Sequence, residues 1–438
     1  MRTAKDNFWL DESYEPGPSL GGDEEADVAI VGGGFTGMAA AYFIRERFPK
    51  KRIVVLEAEY IGFGSSGRNS GIGTTLLGHN VLPILKAQGR EKTSTLLHLS
   101  SEAIKLLDGL IEEHRIECDF EKNGFLLLAE TERQVRLLEK QAKAYEETGA
   151  KVTWLDRDQA RSRFGALRSR AALCGAEDRM LNPAKFVRAM KGVVESRGAR
   201  VYEHSRCTRI EYGPTVTLYT SRGSVRAQDV VLATNAYSDP LGLFRYKVLP
   251  FYVYNIVTEP LTQSQMDQLQ CSGRENLYGT QSLFWVLRFT ADNRVLFIEN
   301  DALYFRDVDR DYSHRPSEYR SHYKLLTRMF PFLKGVRVTH GWGGRIGMTL
   351  SFLPSVGRTG KHRNIYYSMG YNGHGLAFSQ LAGKMLATLM SDERSELTDN
   401  VLINKPILGM HSASVTYVAV NAYKAYFKVL DQLLKRGS

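Results

Sequence analysis

At 438 residues the chain is longer than one hydrophobic core usually serves, so two domains are expected; 43% hydrophobic and 24% charged residues are ordinary for a soluble globular protein. The net charge of +10 is dispersed apart from RERFPKKR (45–52) and the C-terminal tail, and no zinc-finger, RNA-recognition or basic-zipper signature accompanies it, which excludes nucleic acid as the expected partner. Cys118, Cys174, Cys207 and Cys271 form no C-x-x-C and no cluster with histidine, the N-terminus lacks a signal-peptide apolar region, and there is no run of about 18 apolar residues. Free thiols, no metal site and a cytoplasmic location are therefore expected.

The first elements in chain order form one unit. ADVAIV (26–31) reads as a buried strand, FTGMAAAYFIRERF (35–48) as a helix with a broad apolar face, and IVVLE (53–57) as a second strand. Between the first strand and the helix stand Gly32, Gly34 and Gly37, a G-x-G-x-x-G, and Glu57 closes the second strand twenty residues beyond Gly37. In a β-α-β unit of this kind the first glycine permits the tight turn and the second lets the backbone approach a pyrophosphate. The third lets the helix pack on the strand, and the acid takes the ribose hydroxyls. A glutamate rather than an arginine at the strand end favours an unphosphorylated ribose, as in FAD or NAD. A tight turn in an unrelated α/β protein would satisfy the glycine spacing alone, but not the whole unit.

The same spacing recurs in YIGFGSSGRNSG (60–71) with Gly62, Gly64 and Gly67, but no fresh strand precedes it and the nearest acid, Glu91, lies 24 residues beyond Gly67. Ser65, Ser66, Arg68, Asn69 and Ser70 crowd this loop. A loop of small polar residues leaving the second strand is expected to lie along the phosphates of the same cofactor and to offer them hydroxyls and amides.

DVAIVGGGFTGMAAAYFI followed by VVLEAEYIGFGSSGRNSG resembles the flavin-dependent amine and amino-acid oxidoreductases, the family of D-amino acid oxidase, glycine oxidase and sarcosine oxidase, and most of all its γ-glutamylputrescine oxidase-like branch. The resemblance runs from FWLDESYEP to the tail helix. It implies an α/β fold in which a Rossmann-like FAD-binding domain is interleaved with an α+β substrate domain built on an antiparallel sheet. It implies FAD, held by Gly32, Gly34, Phe35, Thr36, Gly37, Glu57, Ala58, Gly64, Ser65, Ser66, Arg68, Asn69 and Ser70, with Cys207 joining them further along.

Beyond these motifs, residues 90–113 read as a helix, DFEKNGFLLLAE (119–130) as a hairpin about Asn123-Gly124, ERQVRLLEKQAKAYEETG (132–149) as an amphipathic surface helix, and NPAKFVRAMKGVVESRG (182–198) as a helix opened by Asn182-Pro183. RVYEHSRCTRIEY and VRAQDVVLATNAYS read as strands returning to the nucleotide domain. In LATNAY, Ala233, Thr234 and Asn235 match the family segment near the FAD pyrophosphate and adenosine, although a buried strand end explains them equally. Residues 248–300 hold alternating aromatic strands, an antiparallel sheet whose face is expected to roof a flavin with Tyr254, Trp285 and Arg288 near substrate; plain sheet packing also explains each of the three.

Residues 339–390 then give a strand, a turn, the strand Ile365–Met369, the loop GYNGHG and a helix, whose N-terminus favours negative charge. By resemblance this loop meets the flavin ring, with Gly344, Gly373, Gly375 and Leu376 on the cofactor and His374 as the candidate catalytic side chain. In the tail, Ala422, Ala425, Tyr426, Val429, Leu430, Leu433 and Leu434 fall at helical spacing, with Lys424, Lys428, Lys435 and Arg436 elsewhere on the helix; packing on the protein's own body is expected over contact with a membrane or partner. The expected division is an FAD-binding domain in three parts (1–85, 181–245 and 336–400), a helical segment with substrate-domain strands (86–180), the substrate-domain sheet (246–335) and a tail with an amphipathic helix (401–438).

The resemblance implies hydride transfer from a primary or secondary amine to flavin N5, giving an imine that water hydrolyses to a carbonyl. Related enzymes attach flavin through a cysteine near the last sheet or a histidine in the early loop. Here no cysteine follows Cys271 and Arg68 stands in the loop, so noncovalent FAD is expected. Ala377 stands where sarcosine oxidases hold the substrate carboxylate with lysine, and no lysine for oxygen activation stands near NRVLFIEN, which leaves O₂ or another oxidant as the acceptor. Two other readings stay open: a glycine or D-amino acid-type oxidase with Arg288 as the cation for the carboxylate, and a flavin-carrying subunit that works with a partner or a membrane surface through its tail.

Overall fold

A computed structural model describes residues 7–10, 13–76, 80–242, 244–299, 302–308 and 310–435. Arg436 of the tail, and Asp11, Glu12 and Asn300 of the quoted motifs, lie outside the described residues.

Among the described residues two large sheets carry the fold, beside a two-stranded ribbon of Ile72–Gly73 and Arg179–Met180. The first has eight strands, and its main path runs Ser355–Thr359, Ile365–Met369, Ser224–Leu232, Glu24–Val31, Ile53–Leu56, Arg200–Tyr202. Its centre is parallel: Val28 to Val31 stand in register with Ile53 to Leu56 on one side and with Asp229 to Leu232 on the other. All four residues of Ile53–Leu56 are buried, which is why the run is continuously apolar rather than alternating. The helix Phe35–Arg47 covers this sheet and packs on the helix Gly375–Met390. Ala39, Ala40 and Ala41 are buried, and a Cβ on Gly383 would meet Ala39 Cβ at 2.6 Å. Small residues on both helices thus bring the chain's two glycine-rich helix starts together, although they are more than 300 residues apart.

The second sheet has nine strands, with a main path Leu303–Tyr304, Leu249–Thr258, Val295–Glu299, Trp285–Phe289, Asn276–Gly279, Phe125–Ala129, Ala171–Gly175, Thr153–Leu155. It is antiparallel except where Asn276–Gly279 runs parallel to Phe125–Ala129. The helix Pro316–Met329 covers one face through buried Tyr319, His322 and Leu326. The other face looks toward the first sheet.

Two expectations are corrected. Asn123-Gly124 makes no hairpin. Gly124 does turn the chain with φ +69°, but Glu121 bridges to Met180, and Phe125–Ala129, buried at every residue, goes to the sheet centre. A strand buried on both faces takes neighbours that cover it fully, and a segment carrying Asp119, Glu121 and Lys122 cannot do so. Val338–Met348, assigned above to the FAD-binding domain, instead pairs with Leu249–Thr258 in the second sheet, from Leu249↔Met348 to Thr258↔Val338. The tail helix Ala413–Lys435 docks on the body: the Asp431 carboxylate accepts from the Ser282 and Leu283 N–H groups, both at 2.8 Å, while Val415, Val418, Tyr426, Val429 and Leu433 remain exposed.

The two glycine motifs share one local geometry. Gly32 and Gly62 have φ of +106° and +86°, Gly34 and Gly64 each cap a helical start in extended conformation, and a Cβ on Gly37 or Gly67 would overlap the carbonyl oxygen of Gly32 or Gly62. The second copy stops after the single turn Ser65–Gly67, because Asn69 Nδ2 donates back to the carbonyls of Ser65 (3.0 Å) and Ser66 (2.9 Å). Overpacking against backbone costs about 1–3 kcal/mol, so Gly67→Ala should destabilise the protein as much as Gly37→Ala in denaturant melts. Gly109→Ala, facing open space in the helix Arg90–Glu113, should gain about 0.5–1 kcal/mol.

Candidate functional site

Both glycine motifs, the first-sheet strand ends and the inner face of the second sheet enclose a cavity of about 530 Å³. Gly32, Gly34, Phe35 and Thr36 line it, as do Glu57, Ala58, Gly64, Ser65, Ser66, Arg68, Asn69 and Ser70. Cys207, Ala233, Thr234, Asn235, Gly344, Gly373, His374, Gly375 and Leu376 complete the expected set on its wall. Gly37 does not line it; it lies beneath, where the helix crosses the Gly32 carbonyl.

The wall is held in place by hydrogen bonds between segments distant in sequence. Ser66 Oγ accepts from the Phe35 N–H at 2.9 Å, so the second motif caps the helix that the first one opens. The Tyr371 hydroxyl lies 2.7 Å from both Thr36 Oγ1 and Ser368 Oγ, tying the late glycine loop to the same helix start. Asn235 Oδ1 accepts from the Gly370 N–H at 2.9 Å.

The residues present fit FAD. Glu57 is half-buried at the strand end and its carboxylate accepts from the Gly33 N–H (2.7 Å) and the Glu59 N–H (3.1 Å), which fixes its orientation and leaves lone pairs for ribose hydroxyls. Burial pushes its pKa up, partly countered by those two N–H groups. Because Ser66 Oγ accepts from Phe35, its own proton is available to a phosphate oxygen. Gly34 leaves the helix start uncovered; a Cβ there would meet Ser66 Oγ at 2.7 Å.

His374 lies beside this wall with Nδ1 3.0 Å from the Asn372 carbonyl. A carbonyl only accepts, so Nδ1 carries the proton and Nε2 is the acceptor. Burial holds the ring below the ordinary histidine range, keeping it neutral at pH 7. Burial also pushes the Cys207 thiol up to about 11, leaving it unreactive at neutral pH. Among the described residues no group of three or more His, Cys, Asp or Glu is arranged to hold a metal ion, and no helix is long and apolar enough to cross a membrane.

The three residues expected near substrate do not line the cavity. Tyr254 and Trp285 point to the opposite face of the second sheet, where Tyr254 donates to the Tyr312 carbonyl at 2.8 Å and Trp285 stacks on Phe297. The inward residues are their neighbours Val253, Asn255, Phe284 and Val286, with Ile298 and Tyr278. The strands alternate as expected but with the opposite phase: both faces are covered, so the larger aromatic side chains do not mark the inner one.

Arg288 is fully buried and spent on backbone. Its Nη1 donates to the carbonyls of Ser70 (2.9 Å), Gly71 (2.8 Å) and Leu181 (3.1 Å). Burial lowers its pKa to about 10, which leaves it charged, and it serves as a staple between the second glycine loop and the sheet rather than as a receptor for a carboxylate. Tyr278 was missed by sequence reading; its hydroxyl donates to Asp178 at 2.6 Å, and burial holds Asp178 up at about 6. Arg206 and Arg345 also line the cavity, the first paired with Glu59 at 2.5 Å and the second donating to the Tyr252 hydroxyl at 2.6 Å.

Arg288→Met keeps the volume but removes the charged donor that ties the Ser70, Gly71 and Leu181 carbonyls together, so it should lower stability by about 3 kcal/mol in denaturant melts and reduce flavin content. Unchanged stability with a selective loss of amino-acid affinity would restore the carboxylate-receptor role.

Comparisons with known proteins agree with this architecture. The family model described as FAD dependent oxidoreductase (DAO) matches residues 27–389. The chain is 31% identical to a probable oxidoreductase OrdL of Haemophilus influenzae over 426 residues, 95% of this chain and 94% of the relative. It is also 31% identical to gamma-glutamylputrescine oxidoreductase of Escherichia coli over 428 residues, 96% of each chain. The crystal structure of glycine oxidase from Geobacillus kaustophilus superposes with a TM-score of 0.72 at 22% identity, covering 85% of this chain and 96% of that one. With a nucleotide cradle built from both its glycine motifs and a family model spanning most of its length, the chain belongs to the FAD-dependent oxidoreductase family.

Proposed function

We propose that the protein oxidises a primary or secondary amine whose α-carbon bears no carboxylate, using FAD held without a covalent bond. The observation that carries this reading is the inner sheet face. Val253, Asn255, Phe284, Val286, Ile298 and Tyr278 line it, and Arg288, the cation once available for an α-carboxylate, is consumed by three backbone carbonyls. The relative named gamma-glutamylputrescine oxidoreductase supports an amine substrate.

When bound, FAD supplies the hydride acceptor. The chain's own residues then position the amine. Neutral His374 presents Nε2 as an acceptor, which holds an amine N–H and favours the unprotonated form. Tyr278, hydrogen-bonded to Asp178 and to Thr74, forms a polar part of the same wall. The apolar strip between Val286 and Ile298 excludes water from the reacting carbon. The described cysteines are free, in keeping with a reducing, cytoplasmic setting, and the acceptor that reoxidises the flavin is dioxygen or another oxidant.

The test is anaerobic flavin reduction by matched pairs, each an alkylamine and its α-carboxylated analogue. An unpaired buried carboxylate costs several kcal/mol, so the alkylamine should reduce the flavin more than about tenfold faster. Faster reduction by the amino acid across several pairs would replace this reading with an amino-acid oxidase.

A further inference from the structure

The tail helix Ala413–Lys435 is fixed to the body along one side. Arg306 Nη2 donates to Ser414 Oγ at 2.9 Å near its start. Asp431 holds the Ser282 and Leu283 N–H groups near its end, where Arg133 also donates to the Leu433 carbonyl. Thr416 and Asp431 are buried on that side, and Val420 packs against the cluster of Leu249, Phe251 and Tyr304. The opposite side faces solvent. Seven of the twelve large hydrophobic side chains that stand exposed among the described residues belong to this one helix, and an eighth, Phe352, stacks on its Tyr423 at 6.3 Å. Single exposed apolar residues are ordinary, whereas a contiguous set marks a contact surface.

At about 100° per residue, Val415, Val418, Ala422, Tyr426, Val429 and Leu433 fall on one stripe, with Ala419 and Ala425 along its borders. All eight are exposed and none is charged. The stripe is symmetric about Ala422. Ala419 and Ala425 stand three residues to either side of it, Val418 and Tyr426 four, and Val415 and Val429 seven. Rotated about a two-fold axis at Ala422, the helix meets a second copy of itself antiparallel, with Val415 on Val429, Val418 on Tyr426 and alanine on alanine at the centre. Small residues in the middle let the two axes approach to about 8 Å, the short end of the helix-packing range.

A membrane surface fits this face less well. An interfacial helix sets Trp, Phe or Leu anchors in the bilayer and a basic face toward the headgroups, but here three of the eight stripe residues are alanine and the side opposite is packed on the body. The strip is about 27 Å long and about 10 Å wide. That is small beside the roughly 800 Å² that each partner buries in a standard stable interface, so association is reversible and depends on concentration.

We propose that this face is a homodimer interface, in which the tail helices of two copies of the chain pack antiparallel across a two-fold axis at Ala422. The pairing is independent of the substrate.

The test is sedimentation velocity of the flavin-loaded full chain over a concentration series. Wild type should pass from monomer to dimer. Ala422→Glu and Ala422→Lys each place two like charges at the axis and should associate at least about tenfold more weakly, while an equimolar mixture of the two should recover the dimer. Both substitutions put good helix formers at an exposed position, so circular dichroism and flavin content should match wild type. Oxidation should join Val418→Cys to Tyr426→Cys in a mixture of those variants and leave each alone uncoupled, with wild type as the control for the native cysteines. A wild type that is monomeric at every concentration overturns the assignment, as does an Ala422→Glu variant that dimerises like wild type. Disulfides of Val418→Cys with itself and none with Tyr426→Cys overturn the antiparallel pairing. A monomeric wild type that sediments with phosphatidylglycerol–phosphatidylcholine vesicles, where Ala422→Glu does not, overturns the assignment by giving the face to a membrane.

Discussion

The hydrogen bond from the Phe35 N–H to Ser66 Oγ, 2.9 Å long, is the contact on which the cavity depends. It joins two turns of the same construction, one opening a thirteen-residue helix and the other a single helical turn. Each turn relies on a glycine whose missing side chain lets the chain cross its own carbonyl. Held face to face, the turns present backbone N–H groups and small hydroxyls to one space, the arrangement that receives a pyrophosphate. Tyr371 and Asn235 bring the late glycine loop and the end of Ser224–Leu232 to the same place, so four distant stretches of chain share one wall.

The second sheet shapes the rest of the cavity, and Arg288 fixes it against the second glycine loop. A buried guanidinium holding three carbonyls is rigid, since moving the loop would leave both partners unpaired in a low-dielectric interior. The inner face is consequently a fixed surface with two polar positions on an aliphatic row. On the amine reading proposed above, neutral His374 beside this surface would meet the amine.

Much of this was legible in the sequence. Gly32 to Glu57 reads as a complete β-α-β unit, because VAIV (28–31) and IVVL (53–56) are unbroken apolar runs and the acid follows at the spacing a ribose contact needs. GYNGHG was legible as a loop entering a helix. Other features were not, for identifiable reasons. Gly62 to Gly67 has no preceding strand, so its identity of turn with the first motif emerges only in three dimensions. Tyr254 and Trp285 alternate correctly, but a sheet covered on both faces gives no clue to which phase is inward. Val338–Met348 is a strand whose partner, Leu249–Thr258, lies some ninety residues earlier, a long-range pairing that local pattern does not encode. Arg288 reads from sequence as an available cation, and only its three carbonyl partners reveal that it is spent.

The central claim, that the second motif completes the nucleotide cradle by capping the first, is tested most directly by the FAD dissociation constant of Ser66→Ala. The variant removes one hydroxyl at a partly exposed turn. Losing both the cap on Phe35 and a phosphate donor should weaken FAD binding at least about tenfold, with the circular dichroism of the apoprotein unchanged. FAD affinity equal to that of wild type would contradict the account and return the cradle to the first motif alone.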